Sequence, residues 1–456
     1  TLQLLLIGGI SFLVLLLKKH CFVVGSSFTF NLIKMSKKKK DWFKLKKYPH
    51  IGKRLKENER FTWIEDYIKN QNKIKQHSFL PLIHRTSKVR KFRKKYSKND
   101  GTLIKRENDK NRLSQGPKER EIYYASHLDS LIYSYYSSLV YAEYEKSLKN
   151  YNLEDVATAY RSIPKNIENP EGSNKCNIDF ANDVFNYIRN YDSEEFCAIT
   201  FDISSFFDEL DHSILLNQLI ELVGVNGKLT DDYFNIYKNI TRYGYVEIVD
   251  IFKLFQNNII VEGGNKKRVS KIKYLKKEKA ISFCSKKDFI VNKSKLIRHN
   301  KYEGNPSKIR KKGIPQGSPI SSTLANVYLL KFDKIINDEL VKYNGIYRRY
   351  SDDMVVVCPL NKKEEIINLF KSAITDVKLR VQSHKTQIFV FKKKEDKLVC
   401  GEFYSNEINW NKNFCYLGFD FDGQYTYIKS SSISGYYRKM KRTIKRAKYY
   451  SRRKTN

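Results

Sequence analysis

Three aspartates carry the strongest chemical signal in this chain. Asp202 closes the apolar, β-prone run FCAITFD (196–202), and the pair Asp352-Asp353 interrupts IYRRYSDDMVVVC (346–358), two β-prone flanks around an acidic tip. A carboxylate delivered at the end of a buried strand is costly unless it is solvated or meets a cation. Three converging acids therefore imply a metal. An all-oxygen donor set suits Mg²⁺, which keeps several waters and binds through one or two carboxylates plus substrate phosphates. Two such ions about 4 Å apart activate an attacking hydroxyl and stabilise the departing oxygens of an in-line phosphoryl transfer. Singly each acid is ordinary, since an isolated Asp-Asp is usually a solvated turn.

What such acids act on is limited by charge. The 456 residues hold 86 Lys and Arg against 49 Asp and Glu, a formal net charge of +37. With 41% hydrophobic and 14% aromatic residues the chain has enough apolar material for a large core, which excludes global disorder. A folded surface this positive calls for a polyanion, nucleic acid or an anionic membrane, and argues against a small neutral substrate. The seven cysteines (21, 176, 197, 284, 358, 400, 415) are odd in number and never form C-x-x-C. Neither a zinc site nor a disulfide framework is indicated, and they read as buried free thiols in a reducing, cytoplasmic compartment.

These residues need elements to hold them. Residues 1–34 are nearly all apolar but lack a positive opening region; they read as upstream sequence or a mis-set start, with a membrane anchor as the alternative. Residues 35–111 read as a basic, partly helical N-terminal extension, with a polar loop over 95–116. Helices are expected over HLDSLIYSYYSSLVYAEYEKSL, FANDVFNYIRNY and HSILLNQLIELV, and a strand over FCAITFD. The stretch 226–312 is a Lys-rich insertion with β-like runs, YVEIVDIF and NNIIVEGG, and a hairpin at Gly263-Gly264. A Gly/Pro turn then opens into an amphipathic helix (312–340), the acidic hairpin follows, and 361–374 is helical. VQSHKTQIFVF reads as a strand and NFCYLGFDFDGQYTYI as a hairpin with Asp422-Gly423 at its turn. From Ser430 the chain is a basic helix.

The order and wording of five segments add a further signal. FDISSFFDELDH, GIPQGSPISSTLANVYL, YRRYSDDMVVV, SHKTQIF and YLGF, taken in sequence, closely resemble the successive palm motifs of reverse transcriptases, especially the bacterial group II intron-like and defence-associated, abortive-infection kinds. The resemblance runs from about Arg120 to Gly418. It implies an α/β (α+β) right-hand polymerase, with fingers and an antiparallel-sheet palm over 112–425 and a short, thumb-like basic helix over 426–456. It further implies that Asp202, Asp352 and Asp353 bind two Mg²⁺ ions, for which Mn²⁺ could substitute. Phe207 falls where the family places its steric gate against a 2′-hydroxyl, although either Phe206 or Phe207 has to fill the core. Gln316 and Gly317 would line the nucleotide pocket, with Arg120, Lys118 and Arg161 gripping phosphates; a structural ion pair is the competing reading for Arg161. Lys385 would protonate departing pyrophosphate, and Tyr416, Leu417 and Gly418 would form the primer grip.

The implied reaction is RNA-directed addition of dNTPs to a DNA or RNA primer 3′-end, in a bacterial antiviral defence setting. Partners would be an RNA template, the primer and a dedicated non-coding RNA; a membrane enters only if residues 1–34 are part of the protein, and the oligomeric state is not legible. Two other readings stay open: an untemplated or protein-primed DNA polymerase, and an RNA-binding maturase-like factor with a vestigial site. The retron signatures N-A-x-x-H and V-T-G are missing, and the segment after Gly418 is short for a three-helix thumb, so the expectation is a thumb of one basic helix, one supplied by another chain, or one that is truncated.

Overall fold

A six-stranded antiparallel sheet holds the acids. Its strands are β1 (Glu195–Asp202), β2 (Ile346–Tyr350), β3 (Asp353–Pro359), β4 (Gln387–Lys394), β5 (Lys397–Tyr404) and β6 (Glu407–Asn409). They lie in the order β2-β3-β1-β4-β5-β6. The computed structural model describes residues 41–93, 113–166, 168–300, 309–382, 386–395, 397–404 and 407–453, with backbone alone at 89–93 and 113–118. The chain divides into two units, Thr1–Lys39 and Lys40–Asn456, and every described residue belongs to the second.

The central strands read as nearly unbroken apolar runs because both faces of the sheet are covered. Side chains alternate across a strand, so β1 and β3 feed two separate cores. Cys197, Ile199, Phe201, Met354, Val356 and Cys358 point into the larger cluster. There they meet helices α1 (His127–Asn150), α4 (Ser321–Tyr328), α5 (Leu330–Val341) and α6 (Lys363–Asp376). Phe201 stacks on Phe370 of α6 with ring centroids 3.7 Å apart. Phe196, Ala198, Val355, Val357 and Phe389 fill the opposite face, under α2 (Asn177–Arg189) and the three-stranded unit Phe414–Tyr416, Phe419–Phe421 and Thr426–Ile428. Phe185 of α2 stacks on Phe421 at 4.8 Å.

The helices start where their capping chemistry allows. Ser126 accepts the Asp129 N–H at 3.2 Å to open α1, and Asp211 accepts the N–H groups of Ser213 and Ile214 to open α3 (His212–Val223). At the end of the described chain α7 (Ser430–Arg453) is exposed along almost its whole length.

Several sequence expectations change here. The basic segment over 41–93 is partly helical, at Glu65–Lys69 and Gln71–Lys75, and packs on the main body: Phe43, Leu55, Ile64, Ile68, Ile74 and Leu82 join the main core, and Leu82–Arg93 is a strand. It pairs antiparallel with Leu113–Tyr124, so the end of the expected 95–116 loop is strand as well; residues 94–112 lie outside the described chain. In YVEIVDIF only Gly244–Glu247 is strand, and Ile248–Phe255 is a helix whose Ile248, Ile251 and Phe252 are buried. The Gly263-Gly264 hairpin is present, both glycines at positive φ. Among the described residues four cysteines are buried, but Cys415 is half-buried and Cys176 exposed; Cys21 lies outside the described residues. Their surroundings are less uniformly apolar than the sequence suggests. Among the described residues no helix is long and apolar enough to cross a membrane, and residues 1–34 are not among them.

Candidate active site

The acids meet through strand register. β1 and β3 pair so that Asp353 lies directly opposite Asp202, six further pairs running back to Pro359 and Phe196. Asp352 sits in the turn between β2 and β3, its carbonyl accepting the Ile203 N–H at 3.4 Å. The preceding Ser351 is held at φ +63, a conformation that costs a non-glycine residue about 1–3 kcal/mol, and its hydroxyl meets the Tyr160 hydroxyl at 3.2 Å.

A cleft of about 730 Å³ opens over this rung. Asp202 and Asp353 line it together with Thr200, Tyr350, Gln387, Cys415, Lys429 and the turn Tyr416-Leu417-Gly418. Tyr416 is buried in the second core, while Leu417 and Gly418 take positive φ and shape the turn that lines the cleft.

The loop carrying Gln316 and Gly317 is fastened on two sides. Ile314 donates its N–H to the Phe207 carbonyl at 2.9 Å and Gly313 to the Leu210 carbonyl at 2.8 Å. On the other side Tyr123 donates its N–H to the Gln316 carbonyl at 2.8 Å. Gly317 has φ +116, and a Cβ there would stand 2.6 Å from the Tyr123 carbonyl oxygen. The strand bearing Arg120 is thereby fixed to the loop; Arg120 pairs with Ser87 and Lys118 with Val89 along that hairpin, and Arg120 is exposed. Phe206 is buried in the main core and Phe207 half-buried at its edge, so it is Phe207 that keeps a ring face available.

Arg161 is committed elsewhere. Its Nε and Nη2 donate to the two carboxylate oxygens of Glu145 at 2.7 Å, and Nη1 donates to the carbonyls of Ala157 and Glu154. That is the structural ion pair weighed against a phosphate contact. Lys385 lies outside the described residues; its neighbour Gln382 donates its N–H to the Asp202 carbonyl at 2.9 Å, and Gln387 pairs with Thr200.

Sequence reasoning missed a wholly buried ion pair behind the acids. Arg349 Nη2 donates to Asp333 of α5 at 2.6 Å and its Nε at 2.8 Å, while Nη1 donates to Asn326 of α4 at 3.0 Å. The Tyr347 hydroxyl donates to Asp333 at 3.0 Å, and Asn326 donates to the Ala159 carbonyl at 3.1 Å. The strand before Asp352 is thus tied to the helices that follow the Gln316 loop. A signal existed: in IYRRY one of two adjacent arginines has to face inward.

The donor set suits a hard cation. Among the described residues no three His, Cys, Asp or Glu side chains are gathered tightly enough to hold a metal by themselves. Mg²⁺ does not need that, since one or two carboxylates plus waters and phosphates complete its octahedron. Asp202 opposite Asp353, with Asp352 on the adjoining turn, supplies oxygens only. In the same cleft burial pushes the Cys415 thiol above its ordinary range, against the pull of Lys429.

Residues 267–421 match the family model described as reverse transcriptase (RNA-dependent DNA polymerase). That class comprises nucleotidyltransferases, and the matched third of the chain includes the Gln316 loop, Asp352, Asp353 and the Tyr416 turn. Among solved structures, apo telomerase from Candida tropicalis truncated from its C-terminal domain is similar at 11% identity and a TM-score of 0.39, over 81% of this chain and 59% of that one. Telomerase from Candida albicans in complex with the TWJ fragment of telomeric RNA gives 13% identity and a TM-score of 0.37, over 82% and 51%. The chain spans a little over half the length of these structures. No curated protein matches it.

Proposed function

We propose that this chain is an RNA-directed DNA polymerase that extends a primer 3′-end with dNTPs. The observation that carries the reading is the rung placing Asp202 opposite Asp353 in a cleft also lined by the Tyr416-Leu417-Gly418 turn. Bound there, a pair of Mg²⁺ ions supplies Lewis-acid activation of the 3′-hydroxyl and charge neutralisation at the departing pyrophosphate. The chain's own part is positioning. Asp202, Asp352 and Asp353 offer the oxygens, and the turn at 416–418 holds the primer end by backbone and apolar contact. The nucleotide lies over Gln316 and Gly317, its phosphates toward Arg120, while Lys118 as a second phosphate ligand and Lys385 as the acid for the leaving group rest on the motif resemblance alone. The half-buried ring of Phe207 borders the sugar and excludes a 2′-hydroxyl. RNA is the template because the matched family is described as RNA-dependent and the surface is strongly cationic.

The defence setting rests on the resemblance of the domain content to stand-alone bacterial reverse transcriptases of the defence-associated kind, and sequencing the RNA that copurifies with the protein tests it. For the chemistry, the full chain is given an RNA template, an annealed primer and labelled dNTPs with Mg²⁺, beside Asp202→Asn and Asp353→Asn. Incorporation is expected from the wild type and a loss of about 10³-fold from either variant, the scale of several kcal/mol of charge stabilisation. Wild-type incorporation no higher than the variants' refutes the reading.

A further inference from the structure

Lys429 is the only cation among the described residues lining the cleft that holds Asp202 and Asp353. It joins the last strand, Thr426–Ile428, to α7, and its own N–H donates to the Gly418 carbonyl at 3.2 Å. Its position is therefore tied to the turn that lines the cleft. Its ammonium reaches the Cys415 sulfur at 2.8 Å, the one hydrogen-bond partner of that amine among the described residues. The carboxylates of Asp420 and Asp353 lie near enough to act on its charge. An ammonium has three N–H donors, and a neutral thiol is a weak acceptor for one of them. What remains is a positive charge with donors to offer, in the cleft that holds two carboxylates.

A nucleic-acid strand entering this cleft brings phosphodiesters toward two acids that repel them. Metal ions answer that repulsion at the reacting phosphate, not one nucleotide back along the strand. A lysine suits that second task, being a compact point charge that grips phosphate without demanding planar geometry. We propose that Lys429 binds the phosphodiester nearest the primer 3′-end and so sets where the strand stops relative to Asp202 and Asp353. The proposal rests on the polymerase reading above and names a positioning residue within it. The competing role is purely structural, the neutralisation of Asp353 and Asp420.

The two roles differ in what they move. With the full chain and a primer annealed to an RNA template, KM is measured for the primer–template and for dNTP, beside equilibrium binding across a salt series, for the wild type, Lys429→Gln and Lys429→Arg. If Lys429 grips a phosphate, Lys429→Gln raises KM for the primer–template about tenfold, leaves KM for dNTP in place, and lowers the log–log salt slope by about one. Lys429→Arg restores both. Unchanged primer–template KM and salt slope in Lys429→Gln overturn the proposal, as does an equal rise in both KM values. If Lys429→Gln melts early, active molecules are counted from the burst amplitude, and normal constants among them leave only the structural role. A wild type that binds but does not incorporate overturns the polymerase reading instead, while the salt slope still decides whether Lys429 holds a phosphate.

Discussion

Phe207 and Gly317 are where single atoms decide the outcome. Phe206 is taken up by the core and Phe207 is not, so truncating the second ring opens space without hollowing out the first. Phe207→Ala is expected to narrow the preference for dNTP over NTP by one to two orders of magnitude, roughly the 1–3 kcal/mol a shape contact supplies; single-nucleotide kinetics with each substrate checks it. Gly317 is constrained twice, by φ +116 and by a Tyr123 carbonyl only 2.6 Å from where a Cβ would sit. Gly317→Ala is expected to cost about 1–3 kcal/mol in denaturant unfolding and to raise KM for dNTP, because the loop has to withdraw from the strand. At this scale the sequence is a good guide to the acids and a poor one to their supports. Asp202 and Asp353 stand out because apolar runs end on them. Arg161 shares its residue type with a phosphate ligand, and only the structure reveals Glu145 beside it.

Helices and strands are legible where one physical signal dominates. The run HSILLNQLIELV is helix from its first residue to its last because a capping aspartate and a 3.6-residue period agree. YVEIVDIF misleads because its β-branched residues suit a strand while its tertiary place, over Ile259 and Phe283, suits a helix with a wet outer face. The tie between β2 and the α4–α5 pair is invisible in sequence, since its members come from three segments. Arg349 and Asp333 are both fully buried, so removing one leaves the other's charge uncompensated. Arg349→Met is expected to lower unfolding free energy by about 3–5 kcal/mol, whereas Arg349→Met combined with Asp333→Leu recovers most of it, because two apolar groups replace two desolvated ions. Chemical denaturation of the three proteins measures this. A double variant that is stable yet slow would mean that the pair orients the Asp352 turn beyond merely holding it.

Across the whole sequence much of the excess positive charge falls in 35–118, 226–312 and 429–454, outside the acid-bearing segments. α7 alone carries nine Lys and Arg and no acid, with Tyr436, Tyr437, Tyr449 and Tyr450 exposed among them. Aromatic faces between cations suit stacking on bases and contact with phosphates. Binding to an RNA–DNA hybrid is expected to fall steeply with salt. Changing Arg438, Lys441, Lys445 and Lys448 together to Gln should flatten the log–log slope by about 0.9 for each phosphate that is no longer neutralised, read by fluorescence anisotropy. The cationic character of the molecule follows from composition alone; the integration of residues 41–93 into the core does not, because Lys-rich stretches hide the apolar positions that pack.

The rung joining Asp202 to Asp353 also bears on how such a chain can diversify. Its geometry is written in the backbone bonds of two neighbouring strands, while the segment 226–312 leaves one of them and returns before the other begins. Within that interval Ile236, Ile240 and Tyr243 belong to the main core, whereas the tip of the Gly263-Gly264 hairpin is exposed and free to change length. A foreign domain grafted at the exposed Gly263-Gly264 turn would leave the two carboxylates face to face.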